Sequence, residues 1–106
     1  MKTMKRRYLA IKIDIAQEIE EKELKNEVWN AIERLFGEYG ASKTGFVLIS
    51  YDTAKNYAIL RCTSSMLEAF RASLASLTEI SGKPAVIHVL GVSGTLKSLK
   101  RKFPPN

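Results

Sequence analysis

From Arg7 to Ile15 polar and apolar positions alternate strictly. Leu9, Ile11, Ile13 and Ile15 point one way, and Tyr8, Ala10, Lys12 and Asp14 the other. That period predicts a strand with one face on a core. A polar stretch, "AQEIEEKE", follows, and then the period lengthens. Leu24, Val28, Ala31, Ile32, Leu35, Phe36 and Tyr39 recur at helical spacing, with Trp29 at the edge of the stripe. Acids in the first turn suit the positive end of the helix dipole. Gly37 and Gly40 are stop signals, which places the end of this helix between Phe36 and Gly40.

"TGFVLISYDTAKNYAILRCT" predicts a hairpin: strands at Phe46–Tyr51 and Tyr57–Thr63, with "DTAKN" as the turn. "SSMLEAFRASLASLTEISG" predicts a second helix. Ser65 and Glu68 match a capping box, Leu67, Phe70, Leu74 and Leu77 form the buried stripe, and Gly82 fits the position just past the helix end. "PAVIHVLGV" is a fourth strand. "SGTLKSLKRKF" then turns into a short helix, with Leu96, Leu99 and Phe103 at i, i+3 and i+7.

The order β-α-β-β-α-β plus a helical tail predicts an α+β, ferredoxin-like (RRM-like) sandwich. It has a four-stranded antiparallel sheet and both helices on one face. The other face is left open and carries Lys12, Tyr57, Ile59, Arg61, Val86, His88 and Leu90. Monomers rarely expose large apolar patches, so this face needs a cover. Leu96, Leu99 and Phe103 of the tail supply part of one; with Tyr57 and Ile59 they make a candidate packing or partner surface.

At 106 residues the chain fits one domain spanning 1–106, with a basic arm at 1–7 and a basic tail at 93–106. No apolar run approaches the roughly 20 residues that span a bilayer. The N-terminus resembles a signal peptide in its early charges, but Lys12 and Asp14 interrupt the apolar region, so a cytoplasmic protein is expected. The single cysteine, Cys62, excludes an internal disulfide and a Cys-rich zinc site.

Net charge is +6, and its distribution changes the picture more than its size. Lys2, Lys5, Arg6 and Arg7 open the chain; Lys97, Lys100, Arg101 and Lys102 close it, with no acid among them. The other nine of 17 basic residues face all 11 acids, leaving the body of the domain near −2. The acids concentrate at Asp14, Glu18, Glu20, Glu21, Glu23, Glu27, Glu33 and Glu38. Such polarity is an electrostatic footprint for a polyanion, although basic termini can also be merely solvated.

No histidine, cysteine or carboxylate set has the spacing of a metal site or a nucleophile triad. His88, the only histidine, reads as a packed strand residue. "GVSGT" sits between a strand and a helix, as phosphate-cradling loops do, but matches no nucleotide-binding motif. Ser93, Gly94 and Thr95 therefore stand as a possible phosphate-binding loop beside the reading of a plain turn, with Ser93 or Thr95 capping the tail helix. The third strand, "NYAILRCT", lacks the aromatic signature by which an RRM stacks bases. Recognition of a nucleic-acid backbone by lysine and arginine suits these residues better. The rival class, a small ferredoxin-like regulatory or dimerisation module binding a metabolite, needs convergent polar groups around an apolar cavity, and no such cluster is evident.

"RRYLAIKI", "LFGEYG", "AILRCT" and above all "LGVSGTLKSLKRKF" carry a resemblance over roughly residues 6–103. The chain resembles the archaeal ribonuclease P protein component 2 family, also found as a eukaryotic subunit of ribonuclease P and ribonuclease MRP. The resemblance implies an accessory, non-catalytic subunit of an RNA-based endonuclease that removes the 5′ leader of precursor tRNA. The ribonuclease P RNA and its bound Mg²⁺ perform the hydrolysis, and no cofactor is expected on the protein. It also implies a TIM-barrel-like protein partner, component 3, and joining of two such pairs as a heterotetramer. It places Lys97, Lys100, Arg101 and Lys102 near RNA, with Arg61 and the N-terminal Lys5, Arg6 and Arg7 as further candidates.

Overall fold

The structure is a computed structural model that describes residues 5–104; Lys2 of the basic arm and the last two residues of the tail lie outside that range. The elements run β1 (Arg6–Ile15), α1 (Glu21–Lys43), β2 (Val47–Asp52), β3 (Tyr57–Thr63), α2 (Leu67–Ser76), β4 (Glu79–Ile80), β5 (Lys83–Ser93) and α3 (Leu96–Lys102). The strands form one antiparallel sheet in the order β2-β3-β1-β5-β4. Without the two-residue β4, this is the ferredoxin-like order the sequence predicts.

Alternation in β1 sorts the sheet as expected. Leu9, Ile11 and Ile13 are buried in the main core with Leu24, Val28 and Ile32 of α1, Phe70 and Leu74 of α2, and Ala58, Leu60 and Cys62 of β3. Ile19, the one apolar residue of the polar stretch after β1, is also buried there. Its carbonyl accepts a 3.1 Å hydrogen bond from the Tyr51 hydroxyl, which pins the crossover to β2.

Four local expectations are corrected. The first helix does not end between Phe36 and Gly40. Gly37 breaks it with a left-handed φ of 72°, but helical structure resumes and runs to Lys43. The later part of the stripe leaves the core on both sides of the kink: Leu35 and Phe36 before it and Tyr39 after it are exposed, Tyr39 by 74%. Ser65 and Glu68 form no capping box: Ser64–Met66 is a 3₁₀ turn, and α2 begins at Leu67 without a side-chain cap. Gly82 does not end the second helix, which stops at Ser76. Ser81 and Gly82, with φ of 52° and 78°, form instead the turn of a short hairpin that adds β4 to the sheet. Positive φ at both central residues matches strand twist and favours glycine. Glu23 and Glu27 of α1 hold this turn, accepting from the Ser81 hydroxyl and the Ser81 N–H. Those bonds, with one from the Glu20 N–H, favour the charged form and draw the Glu23 pKa below its ordinary value.

α3 lies on the opposite side of the sheet from α1 and α2. Beneath it Ala10, Tyr57, Ile59 and Leu99 form a second buried cluster, flanked by Tyr8, Ile49, Leu96 and Phe103. Tyr57 and Ile59 are 5% and 2% exposed, so the tail itself covers this part of the open face. A bulge in β5 makes room for it. Ala10 faces Gly91 while Ile11 faces Val89, so Leu90 is the extra residue. Past the bulge, Gly91 lies under the Phe103 ring; a Cβ at Gly91 would come within 2.1 Å of that ring. Only glycine permits this approach.

Candidate nucleic-acid interface

Pairing brings the basic start of the chain beside the loop that opens the basic tail helix. Arg6 lies opposite Thr63, and Tyr8 lies opposite both Arg61 and Ser93. The start of β1, the end of β3 and the end of β5 thus share one rim of the sheet. Lys5 is tied there by its carbonyl, which accepts from the Ser64 N–H at 2.8 Å. The Ser93–Thr95 loop leaves the same rim, and a Cβ at Gly94 would sit 3.8 Å from a terminal nitrogen of Arg7.

From this rim α3 crosses the outer face. Thr95 caps it, its hydroxyl accepting from the Ser98 N–H at 3.2 Å. Such a cap contributes about 1 kcal/mol. Ser93 does not cap the helix; its hydroxyl receives the Thr95 N–H at 3.4 Å. At the far end the Tyr57 hydroxyl donates to the Phe103 carbonyl. Burial pushes the Tyr57 pKa up.

With Leu99 inward, Lys97, Lys100, Arg101 and Lys102 are all exposed. Lys100–Lys102 occupy the last turn, where positive charge suits the negative end of the dipole. Lys100 also borders an apolar hollow of about 300 Å³ with Tyr51, Asp52, Tyr57 and Ile59. Arg61 is half-buried, and its Nε is shielded from solvent with no hydrogen-bond partner among the described residues. An unmet donor of that kind costs about 1–3 kcal/mol. The acids from Glu21 to Glu38 ride on α1, across the sheet from α3. The linear charge polarity thus becomes a polarity between layers.

Residues 7–104 match the sequence model of the Rpp14/Pop5 family. The chain belongs to the Rpp14/Pop5 family. Among the relatives it resembles is the ribonuclease P protein component 2 of Pyrococcus furiosus, at 40% identity over 99 residues covering 93% of this chain and 82% of that relative. The component 2 of Methanocaldococcus jannaschii is 39% identical over 99 residues, covering 93% and 72%. A chain in the cryo-EM structure of yeast ribonuclease MRP superimposes with a TM-score of 0.73 at 16% identity, covering 90% of this chain and 78% of that one; that likeness is one of fold.

Two basic residues on or beside this surface of the Rpp14/Pop5 chain are missing from the sequence-based candidates. Lys12 is exposed opposite Tyr57, on the outer face near the end of α3. The alternation of β1 was the signal for it. Lys43 is brought to the rim by the resumed second half of α1, where its carbonyl accepts from the Thr63 hydroxyl and its ammonium lies 4.3 Å from the Tyr39 ring centre. A helix assumed to end earlier hides that residue.

Cys62 is buried, and desolvation raises its pKa to about 11 despite Arg7 nearby, so the thiol stays protonated at neutral pH. Among the described residues no group of three His, Cys, Asp or Glu side chains is placed to hold a metal ion. Among them, too, no helix is long and apolar enough to cross a membrane.

Proposed function

We propose that this chain is an accessory protein subunit of a cytoplasmic ribonuclease P. It binds the catalytic RNA through the rim and α3 and supports Mg²⁺-dependent removal of the 5′ leader from precursor tRNA. The observation that carries the reading is the approach of the basic arm to the root of the tail: Arg7 lies against the Gly94 loop from which the basic helix departs. Lys5, Arg6, Arg7, Arg61, Lys97, Lys100, Arg101 and Lys102 then act as one surface rather than two separate tails. Its contacts are to phosphates, which position an RNA without reading its bases. A phosphate oxygen at the rim also supplies the acceptor that Arg61 Nε lacks. Ser93, Gly94 and Thr95 border the same place.

The Mg²⁺ ions belong to the RNA in this reading, and the protein contributes fixed positive charge that offsets phosphate repulsion and lets the active RNA fold form at lower Mg²⁺. The protein partner is the TIM-barrel-like component 3, with two pairs joined as a heterotetramer. Leu35, Phe36 and Tyr39, exposed around the Gly37 kink, offer apolar surface for such contacts, whereas Tyr57, Ile59 and Leu99 are already buried within the chain.

The decisive experiment is reconstitution of precursor-tRNA cleavage with and without this chain, titrating Mg²⁺. A lower Mg²⁺ requirement in its presence is expected; an identical requirement would overturn the proposal. Within it, replacing Lys100, Arg101 and Lys102 by alanine reduces the log-log salt slope of RNA binding by roughly 0.7–0.9 per lost phosphate contact. An unchanged slope would place these three side chains away from RNA.

A further inference from the structure

α3 covers only half of the outer face of the sheet. Ala10 of β1 and Tyr57 and Ile59 of β3 are buried beneath it. Over the other half, Lys12 and Asp14 of β1 and Val86, His88 and Leu90 of β5 are all exposed. Pairing sets them in register: Lys12 lies opposite His88, and Asp14 opposite Val86. His88, expected from the sequence as a packed strand residue, thus stands in solvent on this bare half. Near the end of β1, Lys12, Asp14 and His88 line a hollow of about 260 Å³, closed by Asn56 of the β2–β3 turn.

Proteins read single-stranded RNA by stacking an unpaired base on a flat side chain and hydrogen-bonding its edge. Over β3 that use is closed, because Tyr57 is already buried. Over β1 and β5 each part is present. The His88 imidazole supplies the flat ring, Lys12 a donor and Asp14 a pair of acceptor oxygens. Lys12 and Asp14 are two residues apart on one face, which places their Cα atoms about 7 Å apart along the strand.

That order of donor and acceptor selects among bases. Guanine presents two neighbouring acceptors, O6 and N7, which lysine recognises. Beside them it presents two neighbouring donors, N1–H and N2–H₂, which one carboxylate can accept together. Adenine and cytosine offer a carboxylate only a single amino group. Uracil offers one N–H between two carbonyl oxygens, and a carboxylate repels both. The flanking phosphates also find a partner. Lys12 lies opposite Tyr57, whose hydroxyl donates to the Phe103 carbonyl, so the hollow adjoins the basic last turn of α3.

We propose that the bare half of the outer face is a guanine-reading site. An unpaired guanosine stacks on His88, with Lys12 at its O6 and N7 and Asp14 at its N1 and N2 groups. The inference rests on the reading that this chain binds RNA, and adds base selection at a place apart from the rim.

Fluorescence anisotropy of the full chain tests it, with a short oligouridine strand and the same strand carrying one central guanosine. At equal salt the guanosine strand should bind about tenfold more tightly. Inosine at that place, which lacks the 2-amino group, should forfeit most of the gain. Equal affinity for all three would overturn the guanine site and leave the phosphate contacts standing; no binding of any would overturn both. Asp14→Asn separates recognition from bulk charge. It removes a negative charge, so it should strengthen binding of the oligouridine strand while weakening that of the guanosine strand. A gain for both would reduce Asp14 to a repulsive charge and refute its role. His88→Ala should lower affinity for the guanosine strand several-fold, and His88→Phe, which keeps a flat ring, should retain it. Equal losses in the two would refute the stacking. Asp14 and His88 are both exposed, so these variants keep the fold.

Discussion

One sheet carries two unlike layers. On the side of α1 and α2, eighteen buried residues form a continuous core, from Leu9 and Leu24 to Phe70 and Ile87. On the side of α3 only Ala10, Tyr57, Ile59 and Leu99 are buried, closed over by a seven-residue helix. The outward surfaces differ as well: acids crowd the first half of α1, whereas α3 presents lysine and arginine. The contrast separates two tasks. The larger layer supplies folding stability, and the smaller one holds a basic surface at a fixed height above the sheet. A small layer of this kind is expected to open as a local unit, so mutations on the two sides should differ in kind as well as in size.

Substitution on the core side has the largest expected effect. Phe70→Ala removes a fully buried ring that packs 5.4 Å from the Phe46 ring, and costs about 3–5 kcal/mol. Stability of a small domain totals about 5–15 kcal/mol, so the urea midpoint should fall steeply and all amides should lose protection together. Leu99→Ala costs less, about 2–3 kcal/mol, and its effect is local. Hydrogen exchange should rise in α3 and around Tyr57 while β1 and α1 stay protected. Equal loss of protection on both sides would erase the distinction between the layers.

Gly91→Ala probes the same layer from beneath. The added Cβ meets the Phe103 ring, so the ring must leave, at about 1–3 kcal/mol. The Phe103 ring resonances in NMR spectra should shift while those of Phe70 do not.

The smallest effect is that of Tyr57→Phe, which deletes the bond to the Phe103 carbonyl for about 0.5–1.5 kcal/mol. Its signature is alkaline. Burial raises the Tyr57 pKa in the fold, so this contribution is complete below the ordinary tyrosine value of about 10 and is lost as pH rises through the folded value. Cys62 behaves likewise: its share is complete below 9.0 and is lost as pH rises through about 11. Denaturation midpoints measured from pH 8 upward should therefore decline, and Tyr57→Phe should flatten the upper part of that decline.

Much of this layering is legible in the chain. Alternation in β1 separates Leu9, Ile11 and Ile13 from Ala10 and Lys12. The spacing of Leu96, Leu99 and Phe103 marks a helix with an apolar side, and Thr95 marks its cap. The errors share a cause. Gly37, Ser65 and Gly82 are local signals whose meaning depends on neighbours distant in sequence. Gly37 kinks a helix that continues, because Ala41 beyond it finds room in the core and Thr44 closes the end through its hydroxyl bond to the Ala41 carbonyl. Ser81 and Gly82 make a hairpin turn because Glu23 and Glu27, more than fifty residues earlier, accept its hydrogen bonds. Lys43 escapes notice, and Lys12 is left out of the RNA-binding candidates although alternation puts it on the open face, for a related reason: charge clusters are read along the chain, while a surface is assembled across it.

By itself the sequence determined the element order, the ferredoxin-like pairing, the two basic ends and the membership in a family that all of these suit. These follow from local periodicity and composition, which each residue carries wherever it is placed. Tertiary packing alone sets the basic arm beside the loop that opens the tail helix and makes the tail seal its own apolar face over Tyr57 and Ile59. It alone leaves the half of that face over β1 and β5 bare. Those outcomes depend on register, on the bulge at Leu90 and on the missing side chain at Gly91. A one-residue slip in pairing would exchange the faces, and nothing in the local pattern of β5 states where the slip occurs.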